Sequence, residues 1–425
     1  MKRWFLLSAL LACWAAPPAA ARAGDWPGWR GPTGCGTTVE KNLILKWDGK
    51  TGEGLLWKTP LGAGGHSSPI VWGDRVFVTT TLGQSPEQEK KKEMPDHYFA
   101  CCRASDGKLL WKTRIAPGKV QAYMGSFAAP TPATDGKAVY CSFGSAVAAA
   151  VDFDGRLLWR NELLSGEGLK KPRLNPCIAS SMVLYKDTVI EMVEQKGGGT
   201  LHAWDKITGK VKWEKQRDKD NTGPCNTTPL LIEVQGQPQL LILAAKVLQA
   251  LNPADGEPIW WCTSAQGFAS SPLYSAGLIY TDLGEDRSAM AIDPTGKGDV
   301  TKTHVKWKIP EIDGQWSSAV SDGEYVYRLD EASELTCRSL FTGKKVYAHT
   351  LKDISALASP VATADGRIYF VGSAKGYVVK AGPKFEVIGG GHLGGYDFGA
   401  GASLAVSAGR IYVRDGQSLY CIGKK

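Results

Sequence analysis

Two adjacent cysteines, Cys101 and Cys102 in the stretch YFACCRASDGKLLW, are the residues whose type and spacing first suggest chemistry. Neighbouring cysteines can close a strained disulfide, and strained disulfides are often redox-active. The alternative is that a β-strand needs two small apolar side chains here, because a buried free cysteine packs as a small hydrophobic residue. The elements around the pair must decide between these two interpretations.

Other signatures of enzyme chemistry are missing from the sequence. It has no CxxCH haem site, no CxxC pair, and no G-x-S-x-G, HExxH or phosphate-loop pattern. The six histidines do not cluster at metal-ligand spacing. The sequence therefore gives no motif-level support for haem, hydrolase or nucleotide-phosphate chemistry.

The first 23 residues are typical of a secretory signal. Lys2 and Arg3 precede an apolar stretch, and Ala21-Arg22-Ala23 forms a small-x-small cleavage site. We expect a periplasmic or secreted protein cleaved after Ala23, with a lipoprotein anchored through Cys13 as the alternative. Cleavage removes three basic and no acidic residues, so the formal net charge falls from +8 to +5. This mild charge predicts no nucleic-acid binding, and no later apolar run predicts a transmembrane segment.

A repeated motif organises the rest of the chain. Ser67-Ser68-Pro69 and Ser270-Ser271-Pro272 each precede a β-rich run, and further copies follow. The third residues of the copies lie at 69, 132, 182, 229, 272, 319, 360 and 404. Each copy reads as short β-branched and aromatic strands separated by Gly, Asp or Asn turns, with almost no helical periodicity. The pattern predicts an all-β fold, an eight-bladed β-propeller of four-stranded antiparallel blades.

The two ends of the chain complement each other. The last copy ends in SLYCIGKK, with three strands and no fourth, and residues 51–61 (TGEGLLWKTPL) supply a fourth strand with no third before it. We expect the N-terminal strand to complete the last blade and close the ring, which leaves no open sheet edge at the joint. The predicted organisation is a signal peptide at 1–23, an N-terminal arm at 24–50 and one propeller domain at 51–425. Trp26 and Trp29 are expected to anchor the arm.

The repeat resembles the pyrroloquinoline-quinone (PQQ)-type propellers. Residues 203–213, AWDKITGKVKW, match the motif A-x-D-x-x-T-G-K-x-x-W of that family at every fixed position. The resemblance implies that the last aromatic residue of each copy stacks between the small first residue and the Gly peptide, and so ties blade to blade. The implied blade-docking residues are Trp57, Trp111, Trp159, Trp213, Trp260, Trp307 and Tyr347. Burying about 200 Å² of each indole would contribute several kcal/mol at about 25 cal/mol/Å².

The resemblance also answers the question about the cysteine pair. Counting back from Gly107 and Trp111, Cys101 occupies the first position of the motif and Cys102 the second. Cys337 and Cys421 fall at the same first position in other copies. We therefore predict a structural role for these cysteines, as small buried hydrophobic residues.

The resemblance implies two different functions. The chain is similar to the non-catalytic propeller lipoprotein of the outer-membrane β-barrel assembly machinery, which implies a protein or peptide partner in the envelope. It is also similar to alcohol and sugar dehydrogenases that bind PQQ and Ca²⁺ on the propeller axis. Ligand-face candidates in either case lie just before the innermost strands or between the second and third strands. They are His66, Arg173, Asn226, Arg287, Trp316, Tyr396 and Asp397.

The sequence favours the binding scaffold over the dehydrogenase. The chain is shorter than the large PQQ alcohol dehydrogenases, and its vicinal cysteines stand at a different place in the blade. We predict an exported, monomeric, non-catalytic scaffold with no cofactor and no resident metal. A PQQ- and calcium-dependent dehydrogenase is the alternative.

Overall fold

The computed structural model describes most of the chain beyond residue 23. The described ranges are 24–62, 64–82, 94–118, 121–122, 128–164, 173–174, 179–193, 199–217, 226–244, 247–263, 269–282, 288–310, 317–354, 357–372, 375–393 and 402–424. Within these ranges the regular structure is entirely β, and no helix is long and apolar enough to cross a membrane. The predicted signal peptide and Cys13 lie outside the described residues.

Strands are numbered along the chain. The N-terminal segment contributes β1 Thr37–Thr38, β2 Lys46–Asp48 and β3 Leu55–Pro60. Blade 1 consists of β4 Ile70–Trp72, β5 Arg75–Thr81, β6 His97–Arg103 and β7 Leu109–Ile115. After the short β8 Gln121–Ala122, blade 2 consists of β9 Ala133–Thr134, β10 Ala138–Phe143, β11 Val147–Asp152 and β12 Leu157–Glu162. After β13 Arg173–Leu174, blade 3 consists of β14 Val183–Tyr185, β15 Thr188–Val193, β16 Thr200–Asp205 and β17 Val211–Gln216.

The second half of the chain repeats this order. Blade 4 consists of β18 Leu230–Val234, β19 Gln237–Ala244, β20 Val247–Leu251 and β21 Pro258–Cys262. Blade 5 consists of β22 Leu273–Ser275, β23 Leu278–Asp282, β24 Ala289–Ile292 and, after the short β25 Gly298–Asp299, β26 Val305–Ile309. Blade 6 consists of β27 Val320–Ser321, β28 Tyr325–Leu329, β29 Glu334–Ser339 and β30 Lys345–Thr350. Blade 7 consists of β31 Val361–Thr363, β32 Arg367–Val371, β33 Lys375–Lys380 and β34 Val387–His392, and the last three strands are β35 Ala405–Ser407, β36 Arg410–Arg414 and β37 Ser418–Gly423.

The blades are antiparallel meanders arranged as a β-propeller, so the predicted all-β propeller fold is confirmed. First strands of successive blades contact one another and form the inner wall. Second strands are buried on both faces, as in β10, and therefore read as continuous apolar runs. Fourth strands lie at the rim and alternate between exposed and half-buried residues, as in β17.

The N-terminal strand β3 closes blade 8. It pairs antiparallel with β37, with Trp57 opposite Cys421 and Pro60 opposite Ser418. The sheet order is β3-β37-β36-β35, so the fourth strand of this blade comes from the beginning of the chain. The same sheet therefore contains both ends of the propeller.

Hydrogen bonds close a second ring around the inner wall. At the second position of each Ser-Ser-Pro-like motif, the backbone N–H donates to the hydroxyl of the corresponding residue in the next blade, over 2.8 to 3.1 Å. The series runs through Ser68, Thr131, Ser181, Thr228, Ser271, Ser318, Ser359 and Ser403, and returns to Ser68. A hydroxyl recurs at this position because it is small enough for the inner wall and accepts the bond that links two blades.

The N-terminal arm, residues 24–50, runs along the inner wall and then out along blade 7. Trp26 is buried and pairs with Val71 of blade 1. Strand β1 pairs in parallel with β31, and β2 pairs in parallel with β34, so the arm borders blade 7 on both edges. Blade 7 thereby becomes a six-stranded sheet.

Two local features depend on pairing with segments outside their own repeat. The glycine run 389–391 lies in β34 although glycine weakens strands, because the Leu45 and Trp47 carbonyls of the arm approach so closely that a Cβ on Gly389 or Gly391 would collide with them. The insertion in the fifth repeat forms β25, which pairs in parallel with β21 and adds a fifth strand to blade 4. Neither pairing leaves a signal in the local periodicity.

Candidate functional site

Four of the indoles named in the sequence analysis reach the next blade in the same way. The ring nitrogens of Trp57, Trp111, Trp159 and Trp307 donate to backbone carbonyls of Ala104, Phe153, Lys206 and Leu340, over 2.9 to 3.0 Å. Each acceptor carbonyl belongs to the residue after the Asp position of the motif A-x-D-x-x-T-G-K-x-x-W in the next blade. The glycine of that same motif lies against the indole. At Gly107 an added Cβ would stand 2.5 Å from the Trp57 ring.

Trp260 makes the same kind of connection through an intermediate. Its ring nitrogen donates to the Gln239 Oε1 over 2.9 Å, and the Gln239 amide donates to the Pro294 carbonyl of blade 5 over 3.2 Å. Pro294 occupies the same place in its turn as Lys206 does in blade 3. The side chain of Gln239 therefore bridges the indole to its usual acceptor, which sequence reasoning did not identify.

The two remaining aromatic residues pack without this bond. Trp213 lies against the turn of blade 4, where a Cβ on Gly256 would stand 3.0 Å from the ring. Tyr347 packs on Phe385 of blade 7, with ring centroids 5.8 Å apart. Within its own sheet each of the two stands opposite the small first residue of the motif, Ala203 for Trp213 and Cys337 for Tyr347.

The vicinal cysteines occupy the same structural position. Cys101 lies opposite Trp111, and both Cys101 and Cys102 are free, fully buried thiols. Burial raises the pKa of each thiol to about 12, which keeps both protonated at neutral pH. Protonated, buried thiols have no access to disulfide exchange.

The structure places only part of the predicted ligand face. His66 is half-buried, its backbone N–H donates to the Ala128 carbonyl, and burial together with the nearby Arg414 charge lowers the pKa of its imidazole to about 4. Asn226 is half-buried just before blade 4. Arg173 begins β13, whose side chains are outside the description. Arg287, Trp316, Tyr396 and Asp397 lie outside the described residues, and no described contact joins His66 to Asn226.

The inner ends of the second strands carry charged groups that sequence reasoning only partly identified. Asp282 of blade 5 forms a buried ion pair with Arg328 of blade 6, with the Arg328 Nε 2.6 Å from the Asp282 Oδ2. The Asp282 carboxylate also accepts from the Ser270 hydroxyl. A carboxylate of this type could serve as a calcium ligand, but the charge of Asp282 is already balanced by Arg328 of the neighbouring blade.

Two further charged residues connect neighbouring blades in the same region. The guanidinium of Arg414 in blade 8 donates to the Ser67 hydroxyl over 2.7 Å and to the Thr79 carbonyl of blade 1. Glu191 of blade 3 accepts from the Ser142 hydroxyl of blade 2 over 3.0 Å, and burial raises the pKa of its carboxyl well above the ordinary value of 4.5. In the sequence, both residues could have been found because each is a charged residue inside an otherwise apolar second strand.

These contacts bear on whether the described residues suit PQQ and Ca²⁺. A calcium site needs several oxygen ligands, among them ionised carboxylates. Asp282 is paired with arginine, burial raises the pKa of Glu191 and so disfavours its ionised form, and no group of three acidic, histidine or cysteine residues able to hold a metal occurs in the described ranges. The described carboxylates therefore do not fit such a site.

The fold and the aromatic docking between blades define a β-propeller with PQQ-type repeats. The sequence profile of the family described as outer membrane protein assembly factor BamB matches residues 96–260 and 233–382. Since these matches cover more than half of the chain, the protein belongs to this family. No curated protein sequence matches the chain significantly.

Solved structures share the fold at low sequence identity. BamB from Moraxella catarrhalis is 14% identical, with a TM-score of 0.59 over 87% of this chain and 97% of that one. A europium-containing methanol dehydrogenase is 15% identical, with a TM-score of 0.53 over 95% and 98%. The computationally designed protein Ika8 is 10% identical, with a TM-score of 0.57 over 85% and 98%. At these identities the likeness shows the fold alone.

Proposed function

We propose that this protein is an exported, non-catalytic propeller that binds a protein partner in the cell envelope. Its family is described as an outer membrane protein assembly factor, and that description supports a role beside other envelope proteins. Assembly of outer membrane proteins is the process in which we place it.

The observation that carries the proposal is that the buried charged groups of the second strands bond to neighbouring blades. Asp282, Arg328 and Arg414 each bond to the neighbouring blade, and Glu191 is buried and bonded to Ser142. An enzyme site requires such groups to be free to meet substrate or cofactor. Here they stabilise the contacts between blades, as expected of a rigid scaffold that presents loops.

The dehydrogenase alternative rests on a likeness of fold. The methanol dehydrogenase shares the propeller, but one propeller architecture supports unrelated functions. The described carboxylates do not provide the ligands that Ca²⁺ needs. We therefore place the binding surface on the face that carries the loops between second and third strands.

A site-specific cross-linking experiment tests this assignment. A photoreactive amino acid replaces Leu82, which follows β5, or Thr263, which follows β21, and both positions are exposed on that face. The control is Ile207, 80% exposed in the turn between third and fourth strands, on the opposite face. We expect irradiation of intact cells to give one discrete adduct with an envelope protein from Leu82 or Thr263 and none from Ile207. Equal labelling from all three positions would contradict the assignment.

A further inference from the structure

The arm pairs its backbone with the exposed edges of several first strands. Trp26 and Val71 of blade 1 exchange two bonds, of 2.8 and 2.9 Å. Thr134 of blade 2 donates its backbone N–H to Pro27, and Ala362 of blade 7 donates to Gly36, each over 2.8 Å. A first strand has a partner on only one side, so its inward-facing N–H and C=O groups need a second partner.

Blades 3 and 4 present the same edge without that partner. In blade 3, Leu184 stands opposite Val189, and the next pair along the strand closes a two-residue turn. Val71 has the same position relative to the turn in blade 1. Antiparallel register alternates bonded and non-bonded pairs, so the N–H and C=O of Leu184 point away from β15. Leu231, opposite Leu240, is also in a non-bonded pair, so its N–H and C=O point away from β19. Both leucines are half-buried, and no described residue bonds these backbone groups.

The arm turns away from the wall at this place. Gly31 and Gly34 have φ angles of +77° and +68°, and their N–H groups donate to Gly28 and Gly31 in successive tight turns. A cavity of about 230 Å³ remains between the arm and blades 2 to 4. Leu184 and Leu231 lie on one wall, and Trp29 and Pro32 lie on the other.

The lining of the cavity is uncharged. Its lining includes Met182, Leu184, Leu230 and Trp29, and none of its lining residues is acidic or basic. A charged side chain placed there would lose its hydration without gaining a partner. The cavity therefore selects an apolar, uncharged segment, and the unpaired backbone groups select an extended one.

We propose that an extended, uncharged segment of a partner protein enters this cavity and pairs its backbone with Leu184 and Leu231, continuing the strand pairing that the arm makes with blades 1, 2 and 7. Pairing supplies affinity through backbone hydrogen bonds, and the apolar lining supplies selectivity for the side chains. This inference rests on the proposed partner-binding function and specifies the chemistry of the partner.

The test uses a fluorescently labelled six-residue peptide of alternating valine and threonine, with blocked ends, and the full mature protein. Leu184→Pro removes the outward N–H without breaking a bond to β15, because proline is tolerated on the free side of an edge strand. The matched control is Val406→Pro, which has the same register in blade 8 and does not line the cavity. We expect saturable binding that weakens at least tenfold in L184P and less than twofold in V406P.

A second peptide separates backbone pairing from simple apolar contact. Methylation of alternate backbone nitrogens keeps the side chains and removes the donors, so it should weaken binding as strongly as L184P does. Failure of the unmodified peptide to bind, or equal binding of both peptides, would overturn the inference. A protein dimer lost in L184P would assign the cavity to a second copy and would also overturn it. Discrete envelope cross-links from Leu82 or Thr263 in the same preparation would show that the partner-binding function stands even if the peptide fails.

Discussion

Charged side chains in the second strands show how single residues hold neighbouring blades together. These strands are apolar, yet they contain Glu191, Asp282, Arg328 and Arg414, each nearly or fully buried. Three of the four have a charged or strongly polar partner in a neighbouring blade. Glu191 has only the Ser142 hydroxyl, and its second carboxyl oxygen is buried with no hydrogen-bond partner among the described residues.

The buried carboxyl of Glu191 should make stability depend on pH. Burial raises its pKa in the folded state, so the stability it contributes is fully present below about pH 4.5 and is lost as pH rises through the folded pKa. Glu191→Gln has no proton to lose and should unfold at pH 9 with a free energy about 1–3 kcal/mol higher than that of the wild type. Urea titrations at pH 5 and pH 9 measure the difference.

The exposed Glu53→Gln serves as the control for this titration and should leave the pH profile unchanged. An E191Q protein that loses as much stability as the wild type between pH 5 and pH 9 would show that Glu191 is not the buried acid responsible.

At the scale of the element, the turn after the third strand decides how each blade contacts the next. Where the turn keeps its usual shape, an indole donates directly to a backbone carbonyl, as Trp307 does to Leu340. In blade 5 the insertion alters the turn, and Gln239 relays the bond from Trp260 to Pro294. The relay places a polar side chain in a buried position, where removal leaves two groups unpaired.

Gln239→Leu should therefore destabilise the protein. The substitution leaves the Trp260 N–H and the Pro294 carbonyl buried without their partner, at a cost of about 1–3 kcal/mol. Gln237→Leu in the same strand is the control, because Gln237 is exposed. Chemical unfolding of the two variants compares them, and equal stabilities would mean that the relay contributes nothing.

Gly391→Ala should release the arm from blade 7. A Cβ at this position would collide with the Trp47 carbonyl, so β2 could not stay paired with β34. We expect faster amide exchange across Lys46–Asp48 and a loss of about 1–3 kcal/mol of stability, as for other overpacked sites. Gly416→Ala, where an added Cβ meets nothing within 4 Å, is the control. Unchanged exchange in G391A would show that the arm does not need this close approach.

The sequence was sufficient for the repeat and for the fold, because turns and β-rich runs recur along the whole chain. It was insufficient for features that depend on distant partners. The Ser403 backbone N–H donates to the Ser68 hydroxyl although 335 positions separate the two residues, and neither local segment identifies the other as its partner. Gly389 to Gly391 lie in a strand although glycine weakens strands, and only the approach of the arm explains them.

For the candidate site, the sequence predicted a ligand face, which stays a prediction, and it did not reveal the contacts between blades. An acidic residue such as Asp282, at the end of a second strand, is of the type that can bind a cation. The pairing with Arg328 of the next blade, which a single blade does not reveal, removes that possibility. Free strand edges such as Leu184 were also beyond prediction, since they result from the path of the arm.

At the scale of the whole molecule, the ring is closed in three independent ways. Strand β3 joins the first and last parts of the propeller, the hydroxyl series links every first strand, and the arm spans the inner wall. A closed ring with few open edges is a rigid support for loops. This arrangement suits a scaffold that binds a partner without changing its own shape.

The central claim is that this propeller binds a protein and not a redox cofactor. The most direct measurement is a titration of the purified mature protein with PQQ and Ca²⁺, followed by tryptophan fluorescence and then by dye reduction with a panel of alcohols and aldoses. We predict no saturable quenching at micromolar PQQ and no dye reduction. Micromolar or tighter quenching accompanied by turnover would contradict the claim and establish a quinoprotein dehydrogenase.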